Sequence, residues 1–229
     1  MDVAFLADTF IQLLAGVPMT LLLVAASLLF GGAMAVLFTA VRTVSRLADA
    51  LIRVYCFVFR GSPLLVQIFL IYYGLGQFVF VRHSILWPLL REPLWCAILA
   101  LSLSTAAYTA EILRGGLAAV SRGAREAARV TGMSTLMMFR RIVFPIALRQ
   151  GWPAYGNEII IMVKSTAITS IITVMEITGI ASAIATQTYR SIEVFLCAGV
   201  LYLIINIVAS RLIAWVERRL NVAMLTDRS

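Results

Sequence analysis

From Met19 to about Val41 the chain runs through leucine, valine, alanine, phenylalanine and glycine without one charged side chain. The hydrocarbon core of a bilayer is about 30 Å thick, and about 20 apolar residues of helix cross it. This run is long enough to do so. The rest of the chain agrees, being 62% hydrophobic and only 13% charged, with a mean hydropathy of +0.97. A soluble domain averages about 25% charged and 45–50% apolar residues. Backbone groups in lipid must be satisfied internally, so the spans are helices. The length allows about five spans with short loops and leaves no room for a soluble catalytic domain. The expected fold is an all-α integral membrane protein, with residues 1–229 forming a single transmembrane domain. A net charge of +8 would suggest nucleic acid in a soluble protein. Here the arginines flank apolar runs and set topology instead, so no nucleic-acid partner is expected.

Residues 2–18 carry Asp2 and Asp8 among apolar residues and end at Gly16 and Pro18, which predicts an amphipathic helix at the membrane surface. The start of the chain lacks a positive region and a small-residue cleavage site, so it does not read as a cleaved signal. After the first span, Arg46, Asp49 and Arg53 recur at helical spacing and predict a short surface helix, broken at Gly61-Ser62-Pro63. Spans two, three and five are expected at Pro63 to about Val81, Leu94 to about Leu113, and Val194 to about Val216. The fourth, from Ile142 to Met175, contains Pro145, Pro153 and Gly156 and is expected to be a broken helix beside a substrate path. Residues 176–193 read as an outer loop with some helix. All but Arg82, Arg91 and Arg190 of the 19 Lys and Arg fall on one side of these spans. The positive-inside rule puts that side, with the C-terminus, in the cytoplasm and the N-terminus outside.

Between spans three and four lies a polar, basic stretch, Glu126 to Pro145. Ala127 and Ala128 are good helix formers and Gly132 interrupts the helix. Ser134 can cap a second short helix, Arg140 and Arg141 suit its C-terminus, and Pro145 is expected to stop it. The product is a helix–Gly–helix elbow outside the membrane, suited to docking into a groove on another protein. An ordinary basic loop is the plainer alternative.

The polar residues inside apolar segments are few. A charge at the bilayer centre costs about 2.5–3.5 kcal/mol on insertion scales, so Glu158 and Lys164 should face protein or water. Glu158 is read as facing a central cavity and accepting a cationic group of a cargo molecule. Ser104, Thr105, Ser165 and Thr166 would supply neutral hydrogen bonds, and Ser62 lies at the mouth of span two. Lys164 could instead extend to the interface. Glu111 and Arg60 are expected to join ion pairs between helices. Cys56, Cys96 and Cys197 lie in apolar surroundings with no C-x-x-C spacing and read as buried small hydrophobes. One histidine, His83, argues against a histidine metal cluster.

Glu126-Ala127-Ala128, three residues, Gly132, nine residues, and Ile142-Val143-Phe144-Pro145 resemble the EAA loop of ABC importer permeases, placed here at about 119–145. Phe144 stands where that family prefers Leu. Arg60-Gly61-Ser62-Pro63-Leu64-Leu65-Val66-Gln67, the Ala107-Tyr108…Glu111 segment, and Tyr155-Gly156-Asn157-Glu158 with Lys164-Ser165-Thr166 are similar to the branch that imports polar and basic amino acids and opines. Ser121 and Ala124 depart from the Pro and Gln frequent in the family. Ser165 stands where many members have Asp, which removes one carboxylate that would pair with a cationic cargo.

The resemblance implies a type I importer permease of the bacterial inner membrane with a cytoplasmic coupling helix. Glu126, Ala127, Ala128, Gly132, Arg140 and Pro145 would then couple to an ATPase. It also implies an ATP-binding subunit dimer, a second permease subunit (a sister chain being favoured over a second copy) and an extracytoplasmic substrate-binding protein. No cofactor is expected on this chain, because no G-x-x-x-x-G-K-[ST] loop is present; ATP and magnesium would sit on the partner. A gradient-driven transporter or channel subunit would also use Glu158, Lys164 and a broken fourth span. A membrane enzyme would need a carboxylate cluster, a histidine site or a metal motif.

Overall fold

The computed structural model describes residues 3–222, with side chains described over 3–220. Asp2 lies outside this range. In chain order the helices are α1 (Val3–Leu14), α2 (Val17–Val41), α3 (Arg46–Gly61), α4 (Leu64–Phe69), α5 (Val79–Arg82), α6 (Trp87–Leu90), α7 (Pro93–Ala118), α8 (Arg122–Val130), α9 (Thr135–Met138), α10 (Phe144–Ser165), α11 (Ile177–Thr188) and α12 (Ser191–Val222). Three helical runs, Val3–Val41, Pro93–Ala118 and Ser191–Leu220, are long and apolar enough to cross a membrane. Two bent pairs raise the number to as many as five: Arg46–Gly61 with Leu64–Gln77, bent by 107°, and Thr135–Ile172 with Ile177–Thr188, bent by 48°.

The hub is α7, whose buried residues include Cys96, Leu101, Thr105 and Ala110. Its contact with α2 is the most extensive in the molecule. Gly31 makes that contact possible: a Cβ there would stand 2.7 Å from the Ser102 carbonyl oxygen and 2.7 Å from Thr105 Cγ2. Small residues at a crossing let helix backbones approach closely, and in lipid such packing carries much of the association energy. Leu23, Ile68, Leu101, Met162 and Ile172 join α2, α4, α7, α10 and the stretch after α10 into one core. Cys56, Cys96 and Cys197 are all buried and free, as the sequence indicated.

Several local expectations are corrected. α1 is not confined to a lipid surface: Phe5, Leu6, Phe10 and Leu13 pack it against α11 and α12. α3 is a full 16 residues, capped by the Ser45 hydroxyl, which accepts from the Ala48 N–H. It lies along α7, with Tyr55 donating to the Leu103 carbonyl at 2.6 Å. Pro145 does not stop a helix. It occupies the first turn of α10, where its missing N–H has no partner to lose. Arg140 and Arg141 therefore close nothing, because they sit in a π turn, Phe139–Val143, that leads straight into α10. α10 also continues through Pro153 and Gly156 to Ser165. The break in this region comes later, where the backbone tightens into a 3₁₀ turn, Thr166–Ile172, ended by Thr173 at φ +66°. The helix expected within residues 176–193 is α11, longer than a loop would hold and capped by the fully buried Glu176.

The corner between α3 and α4 has one lock. Gln67 Nε2 donates to the carbonyls of Phe59 (2.8 Å) and Ser62 (3.1 Å) and to Ser62 Oγ (2.9 Å). A single buried amide thus satisfies carbonyls left open where α3 ends.

Candidate functional site

The elbow connects α7 to α10, and its turn follows from one residue. Gly132 has φ +76°, a conformation open to glycine and disfavoured for residues with a Cβ. The Met133 N–H bonds to the Ala128 carbonyl and the Gly132 N–H to the Arg129 carbonyl. Together these form a Schellman closure of α8. At its other end the Ser121 hydroxyl accepts from the Ala124 N–H, and Ser134 caps α9 by accepting from the Met137 N–H. Ala128, 2% exposed, seats α8 against Val120, Met138 and Val143. Arg125 ties it to α7 by donating to the Leu117 carbonyl at 2.7 Å.

These contacts leave Glu126, Ala127, Arg129 and Arg140 facing outward. Val130, 88% exposed, Leu136 and Met137 share that outer surface. Of the six coupling candidates, Ala128 and Gly132 build the turn, Pro145 begins α10, and Glu126, Ala127 and Arg140 remain available for contact.

The polar candidates of the spans separate into two groups. Thr105 donates to Glu158 Oε1 at 3.0 Å across the α7–α10 seam, and Glu158 is only 5% exposed. Ser104 is buried one residue away on α7. Ser62 belongs to the Gln67 lock, Thr166 donates to the Val163 carbonyl at 2.8 Å, and Ser165 is half-buried at the end of α10. The sequence reading missed a stripe. Ser102, Thr105 and Thr109 are all buried on α7 at i, i+3 and i+7, one helix face. The Ser102 and Thr109 hydroxyls have no partner among the described residues. That spacing was visible in the sequence.

A cavity of about 410 Å³ lies between the end of α10 and α12, lined by Lys164, Ala167, Gly199, Tyr202, Leu203 and Asn206. Lys164 has no ion-pair partner among the described residues, and Asn206 Oδ1 is buried without a donor. Tyr202 is fixed from behind: its hydroxyl donates to Glu176 Oε2, whose other oxygen accepts from the Gly179 N–H at 2.8 Å. Glu176 and Tyr202 were also missed, since nothing in the sequence distinguishes a buried cap from a loop carboxylate.

At the opposite end of α7, Arg42 binds Asp49 at 3.0 Å and Glu111 at 2.8 Å. Arg53 joins Asp49 at 2.6 Å and Arg114 joins Glu111 at 2.7 Å. The expected ion-pair role of Glu111 is met. Arg60 instead lies 5.3 Å over the Tyr108 ring.

The model of one protein family, the binding-protein-dependent transport system inner membrane components, matches residues 27–222. This chain belongs to that family. It is a permease subunit of an inner-membrane transport system. It is 53% identical over 225 residues to an octopine transport system permease protein, OccM, of Rhizobium meliloti, covering 95% of this chain and 92% of that one. It is 51% identical over 223 residues to a nopaline transport system permease protein, NocM, of Agrobacterium fabrum, covering 96% and 92%. The fold matches a crystal structure of an amino acid ABC transporter with histidines at a TM-score of 0.84 and 33% identity, over 96% of this chain and 99% of that one. The all-helical membrane architecture and the permease reading therefore stand together.

Proposed function

We propose that this permease carries an amino acid or opine cargo across the inner membrane by alternating access, driven by a separate ATPase that docks on the elbow. The observation that carries the coupling is the elbow itself. It is a doubly capped turn whose inner face is fixed to α7 and α10 through Ala128 and Arg125, and whose outer face is exposed. A push on that face is transmitted directly to the two helices that hold Thr105 and Glu158. One elbow serves one ATPase subunit, so an ATPase dimer needs a second permease chain. A sister permease is favoured over a second copy of this one.

The relatives named for octopine and nopaline transport support an amino acid or opine as cargo. Such a molecule presents at least one ammonium and one carboxylate. Glu158 and Lys164 are charges of opposite sign on α10, complementary to that ammonium and carboxylate, and six residues and therefore about 9 Å apart along the axis. Glu158 turns to α7 and Lys164 to the α12 cavity. We assign them to successive stations: Glu158, with Thr105 and Ser104, attracts the cationic group as the seam opens, and Lys164 receives the carboxylate. ATP and magnesium act on the partner. The elbow lies in the cytoplasm with the C-terminus, the N-terminus faces the periplasm, and a loaded extracytoplasmic binding protein delivers the cargo.

The test is to purify the tagged chain from its native membrane in mild detergent and identify what elutes with it. Co-elution of an ATPase subunit and a second permease is the expected result. Absence of any ATPase, under conditions that keep a control importer intact, overturns the coupling role and favours gradient-driven transport.

A further inference from the structure

The ion-pair cluster at the arginine-rich end of α7 is not used in the transport scheme above, and its charges do not balance. Arg42, Arg53 and Arg114 face only Asp49 and Glu111 around a cavity of about 450 Å³. The Arg42 side chain is 7% exposed, its Nε and Nη1 are held by the two carboxylates, and its Nη2 is buried without a partner among the described residues. Arg53 and Arg114 are different. Each spends one guanidinium nitrogen on a carboxylate, at 2.6 and 2.7 Å, and each side chain stays more than half exposed. Neither has a further partner among the described residues. The cavity therefore holds one positive charge too many, presented as two open guanidinium forks on different helices. Guanidinium forks bind phosphate oxygens well, because their planar donors match that geometry.

The surroundings indicate the source of such a phosphate. Over the same turns of α3 that hold Asp49 and Arg53, Leu47, Leu51 and Val54 are exposed by 70%, 62% and 61%. These three occupy the face of α3 roughly opposite Asp49 and Arg53 at 3.6 residues per turn, so the helix is amphipathic: its apolar face suits acyl chains while its polar face carries the cavity at headgroup level. A cytoplasmic leaflet rich in anionic lipid attracts basic cavities of this kind.

We propose that Arg53 and Arg114 bind the phosphate of an anionic phospholipid, which completes the charge balance around Arg42 and ties α3 to α7. The placement in the cytoplasmic leaflet rests on the orientation proposed above, but the lipid preference itself does not.

The assay is native mass spectrometry of the purified importer titrated with phosphatidylglycerol or phosphatidylcholine. Near-surface basic residues each contribute enough that losing two predicts a loss of affinity of about thirtyfold. The intact complex should hold phosphatidylglycerol in clear preference to phosphatidylcholine. The double variant R53Q/R114Q should lose that preference, R53K/R114K should keep most of it, and R82Q/R91Q, on the other side of the membrane, should keep it all. Equal retention of the two lipids by the intact complex overturns the proposal without any variant being needed. So does an undiminished preference in R53Q/R114Q. Displacement of the lipid by millimolar inorganic phosphate would show a site for soluble anions and overturn the assignment to lipid. Failure of the complex to transport leaves each of these readouts unchanged, so the two proposals fail separately.

Discussion

Thr105 on α7 donates a 3.0 Å hydrogen bond to Glu158 on α10, joining the hub helix to the helix that follows the elbow. The pair lies one residue from Ser104 and one helical turn from the unpartnered Ser102 hydroxyl. A buried carboxyl with a single side-chain hydrogen bond is held weakly enough to change partners, and the proposed transport cycle requires that change.

The pair separates structure from transport. Thr105→Val removes the donor and keeps the shape, and hydrogen bonds of this kind in membrane proteins are worth about 0.6 to 2 kcal/mol. The midpoint of thermal unfolding in detergent should fall by a few degrees. Glu158→Gln keeps an acceptor for Thr105 and removes the charge. It should leave unfolding almost unchanged and raise the KM for a cationic cargo about tenfold, the factor that corresponds to ~1.4 kcal/mol. An unchanged KM for Glu158→Gln would remove Glu158 from the cargo path.

Gly132 tests the elbow. A non-glycine residue at φ +76° costs roughly 1–2 kcal/mol, and proline cannot adopt it at all. Gly132→Pro should abolish ATP-driven uptake while the chain still inserts and accumulates in the membrane. Glu126→Lys, on the outer face, should do the same by reversing a contact charge. Uptake at the normal rate in both variants would contradict the docking role.

Gly31 tests the hub. A methyl group there would stand 2.7 Å from the Ser102 carbonyl oxygen and from Thr105 Cγ2, far inside contact distance. Overpacking of this kind costs about 1–3 kcal/mol. Gly31→Leu should lower the yield of folded protein in detergent, measured by size-exclusion chromatography, far more than Gly61→Leu, where the added Cβ meets nothing within 4 Å.

Gln67 tests the corner. Gln67→Leu strands carbonyls of Phe59 and Ser62 that share one donor, and each buried group left unpaired costs about 1–3 kcal/mol. Protease cleavage between α3 and α4 should accelerate in Gln67→Leu and stay slow in Gln67→Glu only if that carboxyl is protonated. Equal cleavage rates in wild type and Gln67→Leu would mean the 107° corner is held by packing alone.

The long apolar runs made α2, α7 and α12 legible, because crossing a bilayer fixes length and composition together. The elbow was legible for a local reason. Gly132, Ser134 and the two alanines act through backbone geometry within a few residues. The fourth segment, expected to be broken, does break within its range, but Pro145, Pro153 and Gly156 pointed to the wrong place. Pro145 falls in a first turn, and Pro153 and Gly156 are accommodated within α10, while the irregular backbone follows at Thr166. The Glu176–Tyr202 contact was not legible at all, since it joins residues 26 apart whose meeting depends on how α11 folds back on α12.

The most direct measurement of the central claim is uptake of a radiolabelled amino acid or opine by proteoliposomes containing the whole importer, with its binding protein on the cargo side. ATP is placed with the ATPase or withheld, and an ionophore is added or omitted. Uptake is expected to need ATP and to be indifferent to the ionophore. Uptake that proceeds without ATP and collapses with the ionophore would contradict that claim, and would make Glu158 and Lys164 part of a gradient-driven carrier.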